Sequence, residues 1–122
     1  MNDRQHAIES VERTLEVSAA LRRHLVANER TGRKMIAALQ SGVPISQAVE
    51  ASGQNSADVR RSTNSLLDEY EYARHHMRDA FIIPALDEGM SIGDIGRSLG
   101  VSRQLASRLV HDAKEALTSA AS

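Results

Sequence analysis

The 122-residue sequence predicts an all-α protein, and three observations carry that prediction. From Asp3 to Gln40 there is no proline and a single glycine, Gly32, so nothing interrupts one or two long helices. Between Ser56 and about Ile83 the apolar residues Val59, Leu66, Tyr70, Ala73, Met77 and Ala80 recur at threes and fours, the period of a half-buried helix. From Ser91 to Asp112 the chain reads SIGDIGRSLGVSRQLASRLVHD, the spacing of two helices hinged at a glycine.

Residues 1–34 read as an oligomerisation helix. At about 100° per residue Ile8, Val11, Leu15, Ala19 and Val26 share one face, and Val17, Leu21 and Leu25 fall on an adjoining one. So wide an apolar surface suits a helix with two neighbours, the chain's own core and the same helix of a second copy. A homodimer is therefore expected. On the same segment Arg22, Arg23, Arg30, Arg33 and Lys34 form the densest basic cluster in the chain. They are either a solvated helix face or a set of phosphate contacts, which add affinity without sequence information.

Residues 35–83 read as a helical middle. A shift of 47 residues lays ALQSGVPISQAVEASG (Ala38 to Gly53) on ALDEGMSIGDIGRSLG (Ala85 to Gly100), matching alanine, leucine, glycine, isoleucine and glycine. The expected pseudo-repeat is a helix ending at a glycine, a turn, and a second helix near Ile45 or Ile92. The first copy lacks the valine, serine and arginine that follow Gly100, and it places Asp58 near a helix start, where it would sit poorly beside phosphate. It reads as a structural relative without base reading, although Arg60 and Arg61 leave a tandem reader open. Chance likeness between amphipathic helices is the alternative. Ser56 is the expected cap of the long helix that follows. Pro84, without an amide proton, should kink that helix or start a new one, Pro84 to Glu88, that packs Leu86 behind Ile95 and Leu109.

Residues 84–118 hold the unit that points to function. A helix from about Ile92 to Leu99 would end at Gly100, where a left-handed residue is needed, and a second would open at Ser102. Ile95, Leu99, Val101, Ala106 and Leu109 are spaced to converge between them, and Gly96 lets them cross closely. Ser102 can accept from the free amides of the second helix, whose inward side is Leu105, Ala106 and Leu109. Its outward side is Arg103, Gln104, Ser107, Arg108 and His111. Arginine pairs bidentately with guanine and glutamine with adenine in the major groove, and residues near the start of such a helix touch bases. Arg103, Gln104, Ser107 and Arg108 are the expected base readers, with Arg97, Ser102 and His111 nearer the backbone. After Ala113 the last helix is expected to continue briefly and then fray.

This stretch, SIGDIGRSLGVSRQLASRLV, resembles the helix-turn-helix of bacterial transcription regulators, of the promoter-reading end of sigma factors and of resolvase-type recombinases. The resemblance covers about thirty residues, from Ala85 to about Ala113, and departs from the usual pattern at Gly96, where alanine is common. It implies a fold and a mode of binding double-stranded DNA, and no particular regulator family.

Composition sets the remaining bounds. One domain's worth of chain with no cysteine excludes a disulfide framework and a thiolate metal site. No apolar run approaches the roughly 20 residues that span a membrane, and MNDRQHAIES lacks the apolar core of a signal peptide, so a cytoplasmic, nucleoid-associated protein is expected. Thirteen arginines against two lysines, with frequent alanine, suggest a GC-rich bacterial genome. Fifteen basic and sixteen acidic residues leave a net charge of −1, which argues against DNA binding until the distribution is read. Residues 1–34 carry seven basic and five acidic side chains, 35–90 four and eight, and 91–122 four and three. The acid is concentrated away from the proposed reading helix.

Signs of catalysis are sparse. Glu71 and His75, four apart beside Tyr70, Tyr72 and His76, could hold a metal or form a surface pair, and without an HExxH pattern the surface pair is the stronger reading. No phosphate-binding glycine loop occurs, and three aromatic residues are too few for base stacking on exposed rings. The sequence thus predicts no enzyme, no cofactor and no metal. It predicts a dimeric, sequence-specific reader of duplex DNA that regulates transcription, with any contact to RNA polymerase unspecified. The alternatives are a protein-interaction or assembly module in which the helix-turn-helix is scaffold, or the DNA-targeting subunit of a recombination or phage machine.

Overall fold

A computed structural model describes residues 3–51 and 56–121. The stretch around Gly53 lies outside the described residues, as does the side chain of Ser56 on which the expected cap depends. The fold is all-α, with helices α1 (Asp3–Gln40), α2 (Ile45–Ala51), α3 (Ser56–Ala80), α4 (Ile82–Asp87), α5 (Ile92–Leu99) and α6 (Arg103–Ala121). The uninterrupted stretch from Asp3 to Gln40 is one helix of 38 residues. The last helix runs on to Ala121, further than the brief extension expected past Ala113. Two compact units are formed, one from Met1–Thr14 with Tyr72–Ser122, the other from Leu15–Glu71.

In the Leu15–Glu71 unit the buried or half-buried residues of α1 are Val17 to Leu21, then His24, Asn28, Thr31, Met35 and Ala38, and from Leu21 on they alternate in threes and fours. Such a period keeps one side of a helix turned toward a neighbour, and at His24 and Asn28 that neighbour is α3, through Thr63. On α3 the matching half-buried residues are Val59, Thr63, Leu66 and Tyr70. The seam is more polar than the apolar faces in the sequence suggested. Thr63 is what makes this tolerable: its hydroxyl lies 2.9 Å from the Val59 carbonyl, to which it donates, and 2.7 Å from Nε2 of His24. With its one proton committed to Val59, the Thr63 oxygen can only accept, so Nε2 of His24 carries the hydrogen. Asn28 Nδ2 donates to the same oxygen at 3.4 Å.

The other unit is built the same way at its helical end. Ala7, Ser10 and Thr14 of α1 and Ala73 of α3 are buried. The Thr14 hydroxyl lies 2.9 Å from the Ser10 carbonyl and 3.2 Å from that of Ala73, and Ser10 Oγ donates to Ala7 at 2.6 Å. Small hydroxyl residues can be buried here because the helix's own carbonyls satisfy them.

α3 ends at Ala80, three residues before the expected Ile83, and α4 begins at Ile82 instead of Pro84. Proline clashes with the carbonyl four residues earlier, which is that of Ala80, so the break falls there. Within the first turn of α4 the missing amide costs nothing. The 47-residue echo is visible in the element order. Gly42 and Gly89 both take positive φ, 87° and 90°, and α2 and α5 begin at Ile45 and Ile92. Ala48 and its counterpart Ile95 are both buried. The first copy differs in that the helix ahead of its glycine is the end of the long α1.

Candidate nucleic-acid interface

α5, the turn at Gly100 and the start of α6 make up the unit that the sequence singled out, and each join is fixed by a local hydrogen-bonding device. Ser91 caps α5: its hydroxyl accepts from the Asp94 amide at 3.0 Å, while the Asp94 carboxylate accepts from the Ser91 amide at 3.3 Å. This reciprocal pair satisfies two amides that a helix start leaves unbonded. Its signature, serine followed three residues later by an acid, stands in the sequence as SIGD and was not among the expected features. The Ser91 hydroxyl first, then the Ser91 amide and the Arg97 guanidinium, hold the Asp94 carboxyl below the usual aspartate range.

At the other end of α5, Gly100 adopts φ 70° and ψ 32° as expected. The Val101 amide reaches back to the Gly96 carbonyl at 2.9 Å, closing the helix. Ser102 then starts α6 by accepting from the Leu105 amide at 3.1 Å. The two helices cross at Gly96. A Cβ placed on it would lie 3.2 Å from the Ala106 Cβ and 3.4 Å from the Val101 carbonyl oxygen, so the alanine common in the resembling motifs would crowd this crossing.

The core behind the motif is Ile82, Ile95 and Val110, with Leu86, Met90, Ile92, Leu99, Leu109 and Ala113 packed on it. Ile95, Ala106 and the supporting Leu86 are where the spacing put them. Val110 was missed, and it is buried while Leu105 and Leu109 are half-buried. The inward face of α6 is therefore rotated by one residue toward Val110.

With that side turned inward, Arg103, Gln104, Ser107, Arg108 and His111 are all exposed. They span nine residues, about 12 Å of helix, on one face. No acidic residue occurs from Ser102 to His111. The acid-free stretch ends at the exposed Asp112, and His111 Nε2 lies 3.2 Å from Glu115. Arg97 on α5 is paired with Asp94, so a phosphate contact there would have to compete with that carboxylate.

In the other unit Arg22, Arg23, Arg30, Arg33 and Lys34 are exposed along α1, within an arc of about 120°. Of these, Arg33 lies 3.8 Å from Glu29. At the start of α3 the Arg61 guanidinium is paired with Asp58, while Arg60 is exposed. Among the described residues no three histidine, aspartate or glutamate side chains come together closely enough to hold a metal ion. Glu71 and His75 are exposed, and it is His76 that meets another ring, edge to face with His6 at 5.3 Å. No described helix is long and apolar enough to cross a membrane. Compared with known proteins, the chain matches no family model, no curated protein and no solved structure.

Proposed function

We propose that the protein is a non-enzymatic, sequence-specific binder of double-stranded DNA, a bacterial transcriptional regulator acting as two copies in the cytoplasm. The observation that carries the reading is the acid-free, exposed face Arg103, Gln104, Ser107 and Arg108 at the capped start of α6. Helix starts carry partial positive charge, and arginine and glutamine supply the fork-shaped donors that distinguish guanine and adenine in the major groove. Ser102 and Arg97 flank that face toward the backbone, and the basic residues of α1 supply phosphate contacts. Two copies would place two reading helices on half-sites about 34 Å apart.

Selection from random duplex oligonucleotides gives the site, and variants then test the readers. Arg103→Ala or Gln104→Ala should weaken binding to the selected site by about 1 to 3 kcal/mol and relax preference at one base position. Full-strength, equally selective binding by both variants would remove α6 as the reading helix. A protein-assembly reading draws on a groove of about 460 Å³ beside α5, lined by Phe81, Met90, Ile95 and Leu99, with Phe81 exposed. It expects no duplex affinity.

A further inference from the structure

The outer side of α1 in the Leu15–Glu71 unit carries a second seam, one residue on from the inward one and so turned from it by about 100°. It runs Leu15, Ser18, Arg22, Leu25, Glu29, Gly32, Ile36 and Leu39, again in threes and fours. Its large apolar members are unusually bare: Leu15 is 65% exposed, Ile36 56%, and Leu25 and Leu39 43% each. At its middle lies a groove of about 450 Å³ lined by Leu25, Val26, Arg22, Glu29 and, from α3, Tyr70. A helix with two seams about a quarter-turn apart is the form needed to pack on two neighbours at once, as in a four-helix bundle.

The charges on this seam say what the second neighbour is. Arg22 and Glu29 are equidistant from the peptide between Leu25 and Val26, and so are Leu15 and Ile36. Laying a second α1 across the first in the opposite direction, on a two-fold axis at that peptide, therefore sets Arg22 against Glu29 twice and Leu15 against Ile36 twice. Parallel pairing would instead set Arg22 against Arg22 and Glu29 against Glu29, which is repulsive. We propose that a second copy of this chain docks antiparallel on the outer face of α1, about a two-fold axis beside Leu25 and Val26. A two-fold perpendicular to both helices leaves Arg23, Arg30 and Lys34 of each copy on the same face of the pair, joining the two basic clusters. The inference deepens the two-copy reading above, and it is tested without DNA so that either can fail alone.

Sedimentation of the free 122-residue chain at micromolar concentration should show a dimer. Arg22→Glu and Glu29→Arg should each weaken it about tenfold, because two exposed ion pairs become two repulsions, and the double variant R22E/E29R should regain most of the wild-type strength. A monomeric wild-type protein, or a double variant as weak as the single ones, would overturn the proposal. Circular dichroism of each variant separates lost pairing from lost helix. The absence of native cysteine allows a second measurement. Leu25→Cys lies on the axis and should cross-link on oxidation. Leu39→Cys should not, since about 13 residues of helix on each side separate the two copies of that position by roughly 40 Å, far beyond the roughly 7 Å Cα limit of a disulfide. Equal cross-linking of both would overturn the antiparallel arrangement.

Discussion

Exchanging the residues at the crossing of α5 and α6 probes the geometry that holds α6, the proposed reading helix, in place. Alanine in place of a helical glycine ordinarily stabilises by about 0.5 to 1 kcal/mol. At Gly96 the added Cβ would meet Ala106 at 3.2 Å and the Val101 carbonyl at 3.4 Å, and Ala106 is fully buried. Overpacking of this kind costs about 1 to 3 kcal/mol, which leaves Gly96→Ala destabilising by about 1 kcal/mol. Ala106→Gly alone loses about 1 kcal/mol of helix propensity and about 0.8 kcal/mol of methyl burial, near 2 kcal/mol in all. The exchange G96A/A106G removes the tighter contact, with Ala106, while keeping the propensity gained at position 96, so it should cost about 1 kcal/mol where independent effects would cost about 3. Urea unfolding followed by circular dichroism, run as a double-mutant cycle, measures that coupling of about 2 kcal/mol. Additivity within about 0.5 kcal/mol would show that the close crossing is not what selects glycine.

Other substitutions address the ends of α5. Gly100→Ala meets no atom within 4 Å but must hold φ 70°, so it should cost about 1 kcal/mol from backbone strain alone, checked by the same unfolding curves. The Asp94 carboxyl is lowered in the folded state, so its contribution is fully present above the unfolded value of about 3.9 and is lost as pH falls through the lower folded value. Wild-type protein should therefore be more stable than Asp94→Asn near neutral pH, with the difference vanishing in strong acid. A difference that stayed constant with pH would rule out the carboxylate as its origin.

The turn between α5 and α6 was legible because its requirements are local. Gly100 supplies a left-handed residue, Ser102 a cap, and Gly96 a close approach, and each works with whatever surrounds it. The seam of α1 was legible only in part: Val17 and Leu21 face inward, but a count of apolar residues also selects Ile8, Leu15 and Val26, which are exposed, over Ser10, Thr14, His24 and Asn28, which face inward. Polar side chains take those places by bonding to backbone carbonyls or to Thr63, partners that the sequence does not display. Val110 escaped for a related reason. Leu109 and Val110 are both apolar, and only the angle at which α6 crosses α5 decides which is buried. The ion pair of Arg97 with Asp94 follows from a cap whose pattern is present in the sequence but is informative only once the helix start is placed.

The claim that α6 reads duplex DNA is tested most directly by titrating a fluorescent selected duplex and a scrambled one at about 50 mM and about 200 mM salt. The account predicts tighter binding to the selected duplex at both concentrations, and a loss of about a thousandfold or more on both as salt rises, since phosphate contacts release counterions. Equal affinity for the two sequences, or binding indifferent to salt, would contradict it.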